Sequence, residues 1–375
     1  MHVLEHMKFQ GVENAVGMTT WDEITEQFEP NGTVNAMTTP SYVGYWCHVR
    51  ADRAEAVATK LGQLAMHTPL LPESQVAKEI EVVVRELEEA EDSPSDTCAE
   101  QSLVTLYGAD TPHGWSVGAT PKEVRRLTRC NLLDLHRVTH QSKPRVIVLG
   151  SGNNATRARQ ALVAVADNNK LNGGVDTIVR DDTPPTFVPP STRWIERDTK
   201  TLHTIVQFPC PATPLGHPDF YALFVLAKLL GGRMGSRLTK ALRKQGMVYS
   251  VRGNLHADQY HSVLHIGTGF NRTEGMRAMM TCLAQTPTEK EVHETVEWVK
   301  TQRSLANGTR PSTVAAELTE VLRCRPDLVK SYEWNQETDK YTRITTEDVV
   351  AVWEKHVHGK EPYVTTVGKE TLPRV

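Results

Sequence analysis

Residues 1–6 read MHVLEH, an H-x-x-E-H string. On a helix, His2 and His6 stand at positions i and i+4, one turn apart on one face, so two imidazole rings can converge on one Zn²⁺. Glu5 lies about 60° around the helix from that pair, close enough to contact a water molecule on the metal. Two nitrogen ligands and a carboxylate base outline a hydrolytic site that still needs a third ligand.

A solvated helix start is the alternative interpretation of this string. The chain contains 15 histidines, so a chance H-x-x-E-H match has a probability of roughly a few per cent. The string alone therefore leaves a metal site and an exposed helix end open. A third ligand elsewhere in the chain decides between them.

The segment from Ser74 to Glu91 predicts a long helix with one apolar face. Five residues fall within about 100° of one another on a helical wheel, namely Val76, Ile80, Val83, Val84 and Leu87. Glu79 and Glu86 are seven residues apart and both flank this stripe. A carboxylate beside apolar side chains costs free energy unless a positive group meets it. The alternative is that both carboxylates reach solvent at the edge of the stripe.

The composition is that of an ordinary globular protein. A length of 375 residues suits two domains. The net charge is −3 and the Lys and Arg residues are spread along the chain, so we expect neither nucleic acid nor membrane as a partner. No apolar run approaches the ~20 residues needed to span a bilayer. The six cysteines include no C-x-x-C pair, which favours free thiols and a cytoplasmic location.

Helix and strand patterns alternate in both halves of the chain. In the first half they predict a helix at 19–28, strands at 33–39 and 41–49, helices at 52–66, 74–91 and 121–140, a buried strand at 144–150 and a helix at 155–167. In the second half they predict a strand at 202–208, a helix at 220–230, a helix ending at 244, a hairpin at 247–269, helices near 274–284, 288–306, 313–331 and 346–356, and a strand at 363–367.

These patterns predict an α+β fold of two similar domains, each a mainly antiparallel sheet packed against helices. The Pro-dense run DDTPPTFVPP at 181–190 is typical of a linker between domains. We therefore predict a first, metal-binding domain at 1–180, a linker at 181–191, and a second, similar domain without metal at 192–375.

Four stretches, taken in order, carry a family resemblance: HVLEHMKFQG, NGTVNAMTTPSYVGYW, EIEVVVRELEEAEDSPSD and LLGGRMGSRLTKALRKQGMVYSV. Together they resemble the pitrilysin/insulinase family of zinc peptidases, specifically the half-length branch related to mitochondrial processing peptidase. They are similar, respectively, to its active-site helix, its next two strands, its second metal helix and its second-domain signature. In this family a segment with β-strands normally precedes the metal helix, whereas this sequence opens within that helix. We therefore expect the first turn, which carries His2, to fray.

The resemblance implies a role for each residue of the metal site. Glu86 takes the third ligand position beside His2 and His6, so one Zn²⁺ is bound per chain with its fourth position open to water. Glu5 is the general base as the metal-bound water attacks the scissile carbonyl. Glu79 is a buried carboxylate that orients a ligand histidine or balances charge.

The resemblance also implies where the substrate binds. Asn35, Ala36 and Thr38 lie on the strand to which a peptide adds, and this mode selects extended chains. The alternative for Asn35 is a polar residue next to a turn. In this sequence Pro40-Ser41 replaces a more polar pair that is usual between the substrate strands.

Arg243 and Tyr249 correspond to a pair that the family's second domain brings to the substrate carbonyl, where such donors stabilise an oxyanion. Without the resemblance, a solvated cation and a strand aromatic would be the simpler interpretation of these two residues. Their spacing is one residue shorter than the usual pattern, so Arg237 is the alternative to Arg243.

The expected function is that of a zinc metalloendopeptidase cutting extended or unfolded peptides, as a homodimer or a heterodimer with a related subunit. The alternative from another class is a non-catalytic partner subunit that binds peptide or completes a chamber. A third, weaker interpretation is a structural zinc protein, which three ligands and an open position disfavour.

Overall fold

A computed structural model of the chain describes residues 1–14, 17–69, 72–139, 144–150, 152–168 and 184–369. The chain divides into two compact units, Met1–Ala90 with Ser116–Thr183 and Glu91–Trp115 with Pro184–Val375. Each unit combines helices with β-sheet, so the α+β class is confirmed. The domain bounds drawn from the sequence stay a prediction, and the structure groups residues 91–115 with the second unit.

Twelve α-helices and β-strands lie between residues 1 and 168 of the described chain. They are α1 (His2–Phe9), β1 (Gly11–Asn14), β2 (Gly17–Thr20), α2 (Trp21–Phe28), β3 (Gly32–Thr38), β4 (Val43–Val49), α3 (Ala54–Met66), α4 (Glu73–Asp92), α5 (Pro94–Tyr107), α6 (Pro121–Val124), α7 (Arg129–Thr139) and α8 (Gly152–Asn168).

The second unit continues with β5 (Thr192–Glu196), β6 (Leu202–Pro211), α9 (Pro218–Leu230), α10 (Arg237–Lys244), β7 (Val248–Ala257), β8 (His261–Phe270), α11 (Glu274–Leu283), α12 (Glu289–Thr309), α13 (Pro311–Cys324), α14 (Trp334–Thr342), α15 (Thr346–His356) and β9 (Tyr363–Gly368). Its five strands form one sheet in the order β5-β9-β6-β8-β7. The β5–β9 pair is parallel and the other pairs are antiparallel.

The seam between α1 and α4 positions the first metal helix. Val3 and Met7 of α1 join the predicted apolar stripe of α4 in one buried cluster, which Val124 and Leu132 complete. Burying each such side chain stabilises the fold by about 1.5–3 kcal/mol. The apolar faces of both helices are used in this seam, so their polar residues are left together at its margin.

The β3–β4 hairpin lies against α1 and is a two-stranded antiparallel sheet. The side chains of β3 alternate between its faces: Asn35 and Met37 are exposed, while Ala36 and Thr38 lie on the half-buried face. Gly32 is required where the strands begin to pair, because a Cβ there would lie 2.0 Å from the carbonyl oxygen of His48.

Three sequence predictions need correction. The strand expected at 144–150 is irregular and mostly exposed; no described strand pairs with it, and only Val148 packs into a core cluster. The helix expected at 121–140 is two helices, because Thr128 and Asn131 cap the start of α7 by reciprocal hydrogen bonds. The helix expected at 313–331 ends at Cys324, since Pro326 cannot continue it.

The predicted linker at 181–191 falls partly outside the described residues, because residues 181–183 are not described. Residues 184–191 form neither helix nor strand. The sequence patterns missed β1, β2, β5, α5 and α14. No helix among the described residues is long and apolar enough to cross a membrane. All six cysteines are free thiols.

Candidate metal centre

The structure brings His2, His6 and Glu86 together. One donor atom from each lies within 4.8 Å of the other two. Glu86 Oε2 lies 3.6 Å from His2 Nε2 and 3.3 Å from His6 Nε2. In the part of the chain that the structure describes, this is the one such group of three or more metal-ligating side chains. The spacing read from two separate helices in the sequence therefore becomes one cluster in space.

The donor set fits Zn²⁺. A tetrahedral zinc ion with bonds of about 2.0–2.1 Å separates its ligand atoms by about 3.3 Å, close to the 3.3 and 3.6 Å from Glu86 Oε2 to the two imidazole nitrogens. Burial lowers the pKa of His2, although the charge of Glu86 opposes that shift. The neutral imidazole is the form that binds a metal, so burial favours the binding form.

Glu79 lies behind His6. It is 7% exposed, and its Oε2 lies 3.5 Å from His6 Nδ1. His6 thus has Glu86 on one ring nitrogen and Glu79 on the other, an arrangement that fixes the tautomer and ring orientation of a metal ligand. The role that the family resemblance implies for Glu79 stays a prediction.

Two glutamines that sequence reasoning missed extend this chain of contacts. Gln75 Nε2 donates a hydrogen bond to Gln10 Oε1 at 2.8 Å and lies 3.5 Å from Glu79 Oε1. Gln75 stands one turn before Glu79 on α4, so its proximity was readable from the i, i+4 spacing. Gln10 follows α1 directly, and its part in the contact could not be read from the sequence.

Glu5 sits beside the cluster with 9% of its surface exposed. Its Oε2 accepts a hydrogen bond of 2.5 Å from the hydroxyl of Thr38 at the end of β3. Burial and the negative charge of Glu5 both raise the pKa of the neighbouring Tyr45. The expected general base is therefore a buried carboxylate with a hydrogen bond from Thr38 of β3.

Asn35 and Ala36 lie in the middle of β3. Asn35 is exposed, and its Oδ1 accepts a hydrogen bond of 2.8 Å from the backbone N–H of Ala36. Among the described strands β3 pairs with β4 alone, so its second edge carries no strand. An edge of this kind can accept an extended peptide.

Arg243 and Tyr249 lie next to each other in the second unit. The guanidinium carbon of Arg243 is 5.3 Å from the centre of the Tyr249 ring, and Tyr249 is 82% exposed. Arg237 is instead 8% exposed, and its guanidinium bonds to Glu291 and to three backbone carbonyls. Arg237 is thus held by protein groups, whereas Arg243 lies beside an exposed tyrosine.

Two family models match the chain. One, described as "Insulinase (Peptidase family M16)", matches residues 1–114, and the other, described as "Peptidase M16 inactive domain", matches residues 127–297.

Curated relatives are similar at moderate identity. An uncharacterized zinc protease of Mycobacterium leprae is 27% identical over 253 residues, which are 67% of this chain and 55% of that protein. One of Bacillus subtilis is 26% identical over 310 residues, 80% of this chain and 72% of that protein. Human mitochondrial cytochrome b-c1 complex subunit 1 is 26% identical over 188 residues, 50% of this chain and 37% of that protein. The chain therefore spans little more than half the length of the mycobacterial relative.

Solved structures share the fold. A protease from Helicobacter pylori superposes with a TM-score of 0.77 at 18% identity, covering 98% of this chain and 88% of that one. A peptidase M16 inactive domain from Pseudomonas fluorescens superposes with a TM-score of 0.76 at 16% identity, covering 100% of this chain and 89% of that one.

Proposed function

We propose that this chain, which belongs to peptidase family M16, the insulinase family, is a zinc-dependent endopeptidase that hydrolyses extended or unfolded peptides. The observation that carries the proposal is the convergence of His2, His6 and Glu86 beside the buried carboxylate of Glu5. A purely structural zinc site would fill all four positions with protein ligands, whereas this donor set leaves one position free.

The three ligands would hold one Zn²⁺ per chain. Zinc in such a site supplies a Lewis acid that lowers the pKa of a bound water to about 7 and makes it a nucleophile at neutral pH. Glu86 supplies the negative charge of the ligand set, and Glu79 keeps His6 oriented through Nδ1.

Glu5 moves the proton in this proposal. Its carboxylate accepts a proton from the attacking water and passes it to the leaving amine, as a general base and then a general acid. Glu5 is buried, and its described hydrogen-bond partner is the neutral hydroxyl of Thr38. A carboxylate held in this way keeps its second oxygen available for proton transfer.

The free edge of β3 would bind the substrate. An extended peptide added to this edge pairs with the backbone around Asn35 and Ala36, and its scissile bond then runs along the strand whose last residue, Thr38, touches Glu5. Folded chains cannot present such a strand, so we expect unstructured peptides to be cleaved and compact proteins to be spared.

Arg243 and Tyr249 would donate hydrogen bonds to the oxygen that becomes negative in the transition state. The mutual position of the two residues and the exposure of Tyr249 support this assignment. The engagement of Arg237 with Glu291 argues against the alternative arginine.

A non-catalytic subunit that binds peptide or completes a chamber is the second candidate. The model described as an inactive M16 domain and the similarity to a cytochrome b-c1 subunit favour it. In either case we propose that the chain pairs, as a homodimer or with a related subunit. Light scattering of the purified chain, alone and with a candidate partner, checks the pairing.

One experiment separates the two candidates. The purified chain is incubated with an unstructured peptide carrying a quenched fluorophore, with and without a chelator, beside Glu5→Gln. Cleavage that requires zinc and is lost in Glu5→Gln supports the peptidase. Zinc retained without any cleavage supports the non-catalytic subunit. Glu89→Gln is the matched control, because Glu89 is an exposed carboxylate on the same helix as Glu86.

A further inference from the structure

The hydrogen bond between Thr38 and Glu5 links two parts of the first unit that have different tasks in the proposed function. Glu5 belongs to the metal helix α1, and Thr38 is the last residue of the peptide-binding strand β3. The Thr38 hydroxyl donates to Oε2 of Glu5, with the two oxygens 2.5 Å apart. The Thr38 side chain therefore faces the base.

From this contact we propose that Thr38 is the positioning residue of the general base. Its hydroxyl holds Oε2 of Glu5 and leaves Oε1 as the oxygen that takes the proton. The proposal rests on the proposed peptidase function and gives Thr38 a task other than direct contact with the substrate.

The strand supplies the reason for placing this task on a threonine. Thr38 lies on the half-buried face of β3, and it pairs with Val43 of β4 at the closed end of the hairpin. The turn beyond it is fixed separately, because Thr39 Oγ1 donates to the carbonyl of Tyr42 at 3.0 Å and accepts from the Tyr42 N–H at 3.0 Å. Thr38 thus stands on an anchored end of β3, and its hydroxyl sets the base at a fixed place relative to a peptide bound on the same strand.

The first test uses steady-state cleavage of the quenched peptide. Thr38→Val keeps the shape of the side chain and removes the donor, so kcat falls by about 10–100-fold, the range seen when a supporting hydrogen bond to a metal-site group is lost. KM changes less than about twofold, because the variant leaves the strand backbone intact. Thr38→Ser restores kcat. Thr59→Val, the same chemical change on α3, leaves both constants unchanged.

Zinc affinity is the accompanying readout. Thr38 touches the base and none of the three ligands, so Thr38→Val binds zinc as wild type does in a chelator competition. A rise in KM at constant kcat would instead make Thr38 a substrate contact and overturn the proposal. Equal kcat losses in Thr38→Val and Thr38→Ser, or zinc lost from both, would also overturn it.

A double-mutant cycle tests the contact without any reference to cleavage. The free energies of unfolding of Thr38→Val, Glu5→Ala and the double variant are compared in the metal-free chain, because glutamine would keep an oxygen that accepts the Thr38 hydroxyl. Non-additive shifts support the contact, and additive shifts contradict it. If wild type shows no zinc-dependent cleavage while the cycle is non-additive, the proposed peptidase function fails and the contact stands. If cleavage is present and the cycle is additive, the inference about Thr38 fails alone.

Discussion

Two clusters of charged side chains in this chain differ in how their charges are satisfied. Around Arg303, every partner of the guanidinium is a protein group: Glu317 binds it through both oxygens at 2.7 and 2.9 Å, Thr338 accepts at 2.9 Å, and the rings of Trp334 and Tyr341 lie over it at 4.2 and 4.6 Å. Around Glu86, three electron-pair donors point at one another across 3.3 and 3.6 Å.

The difference separates a structural network from a binding site. A guanidinium with complementary partners has its charge neutralised and its donors paired, so it stabilises the packing of its own helices. Two imidazole nitrogens and a carboxylate oxygen that converge in this way are the donor types of a zinc site, and a metal ion bound between them would satisfy all three. On this comparison we propose that the Arg303 cluster is structural and that the converging donors around Glu86 bind a metal ion.

The largest effect is expected at Glu5. Glu5→Gln removes the base and keeps the shape of the side chain, so peptide cleavage falls by about 10²–10⁴-fold. Zinc remains bound, because Glu5 lies outside the donor cluster. Cleavage rates and zinc content measured on the same preparation check this, with Glu89→Gln as the control. Full cleavage by Glu5→Gln would contradict the assigned base.

At the satisfied cluster, Arg303→Ala should destabilise the second unit and leave zinc affinity unchanged. Removing one partner leaves Glu317 partly buried without its counter-charge, which costs about 3–5 kcal/mol. Arg343→Ala is the control, since Arg343 is 80% exposed and its ion pair with Asp339 contributes about 0–1 kcal/mol. Denaturant unfolding measures the stability of both variants. Equal losses of stability in Arg303→Ala and Arg343→Ala would contradict the contrast between the two clusters.

A smaller effect is expected at Glu79. Glu79→Gln keeps a side chain of the same size and weakens the hold on His6, so zinc affinity falls by about 10–100-fold. Chelator competition gives the affinity, and the unfolding midpoint of the metal-free chain should change little. A large drop in stability with unchanged affinity would place Glu79 with the structural network instead.

The smallest effect concerns acid stability away from both clusters. Burial, followed by the charge of Lys355, lowers the pKa of His356 to about 4, against about 6.5 for an unfolded histidine. As the pH falls, the unfolded chain binds the proton first, so stability present above pH 6.5 is lost between about 6.5 and 4. His356→Phe should flatten this slope between unfolding curves at pH 7 and pH 5. An unchanged slope would assign the acid sensitivity to other groups.

The residues of the candidate metal cluster were easier to predict from the sequence than most elements of the fold. The spacings of His2 with His6 and of Glu79 with Glu86 follow from the period of the α-helix. Both stretches form helices in the structure, α1 and α4, so these spacings place the side chains as predicted. The partner of Glu5 could not be read in this way, because the contact to Thr38 spans 33 positions and depends on how β3 lies against α1. The same limit applies to the contact between Gln10 and Gln75, which are 65 positions apart.

The errors in predicting strands have a common cause. The run PRVIVLG has the composition of a buried strand, but a strand also needs a neighbour with free backbone groups, which composition does not reveal. Residues 192–196 gave a weak signal, and they form β5 because β9, more than 160 positions later, pairs with them. Helices, whose backbone hydrogen bonds lie within one segment, were easier to predict than strands, whose hydrogen bonds depend on a neighbouring strand.

Zinc binding by the isolated chain tests the central claim most directly. Metal-free wild type, Glu86→Gln and Glu89→Gln are titrated with zinc against a chromophoric chelator. We predict one tightly bound zinc ion per chain in wild type and in Glu89→Gln, and loss of that binding in Glu86→Gln. Equal zinc binding by all three proteins, or none by wild type, would contradict the assignment of His2, His6 and Glu86 as a metal centre.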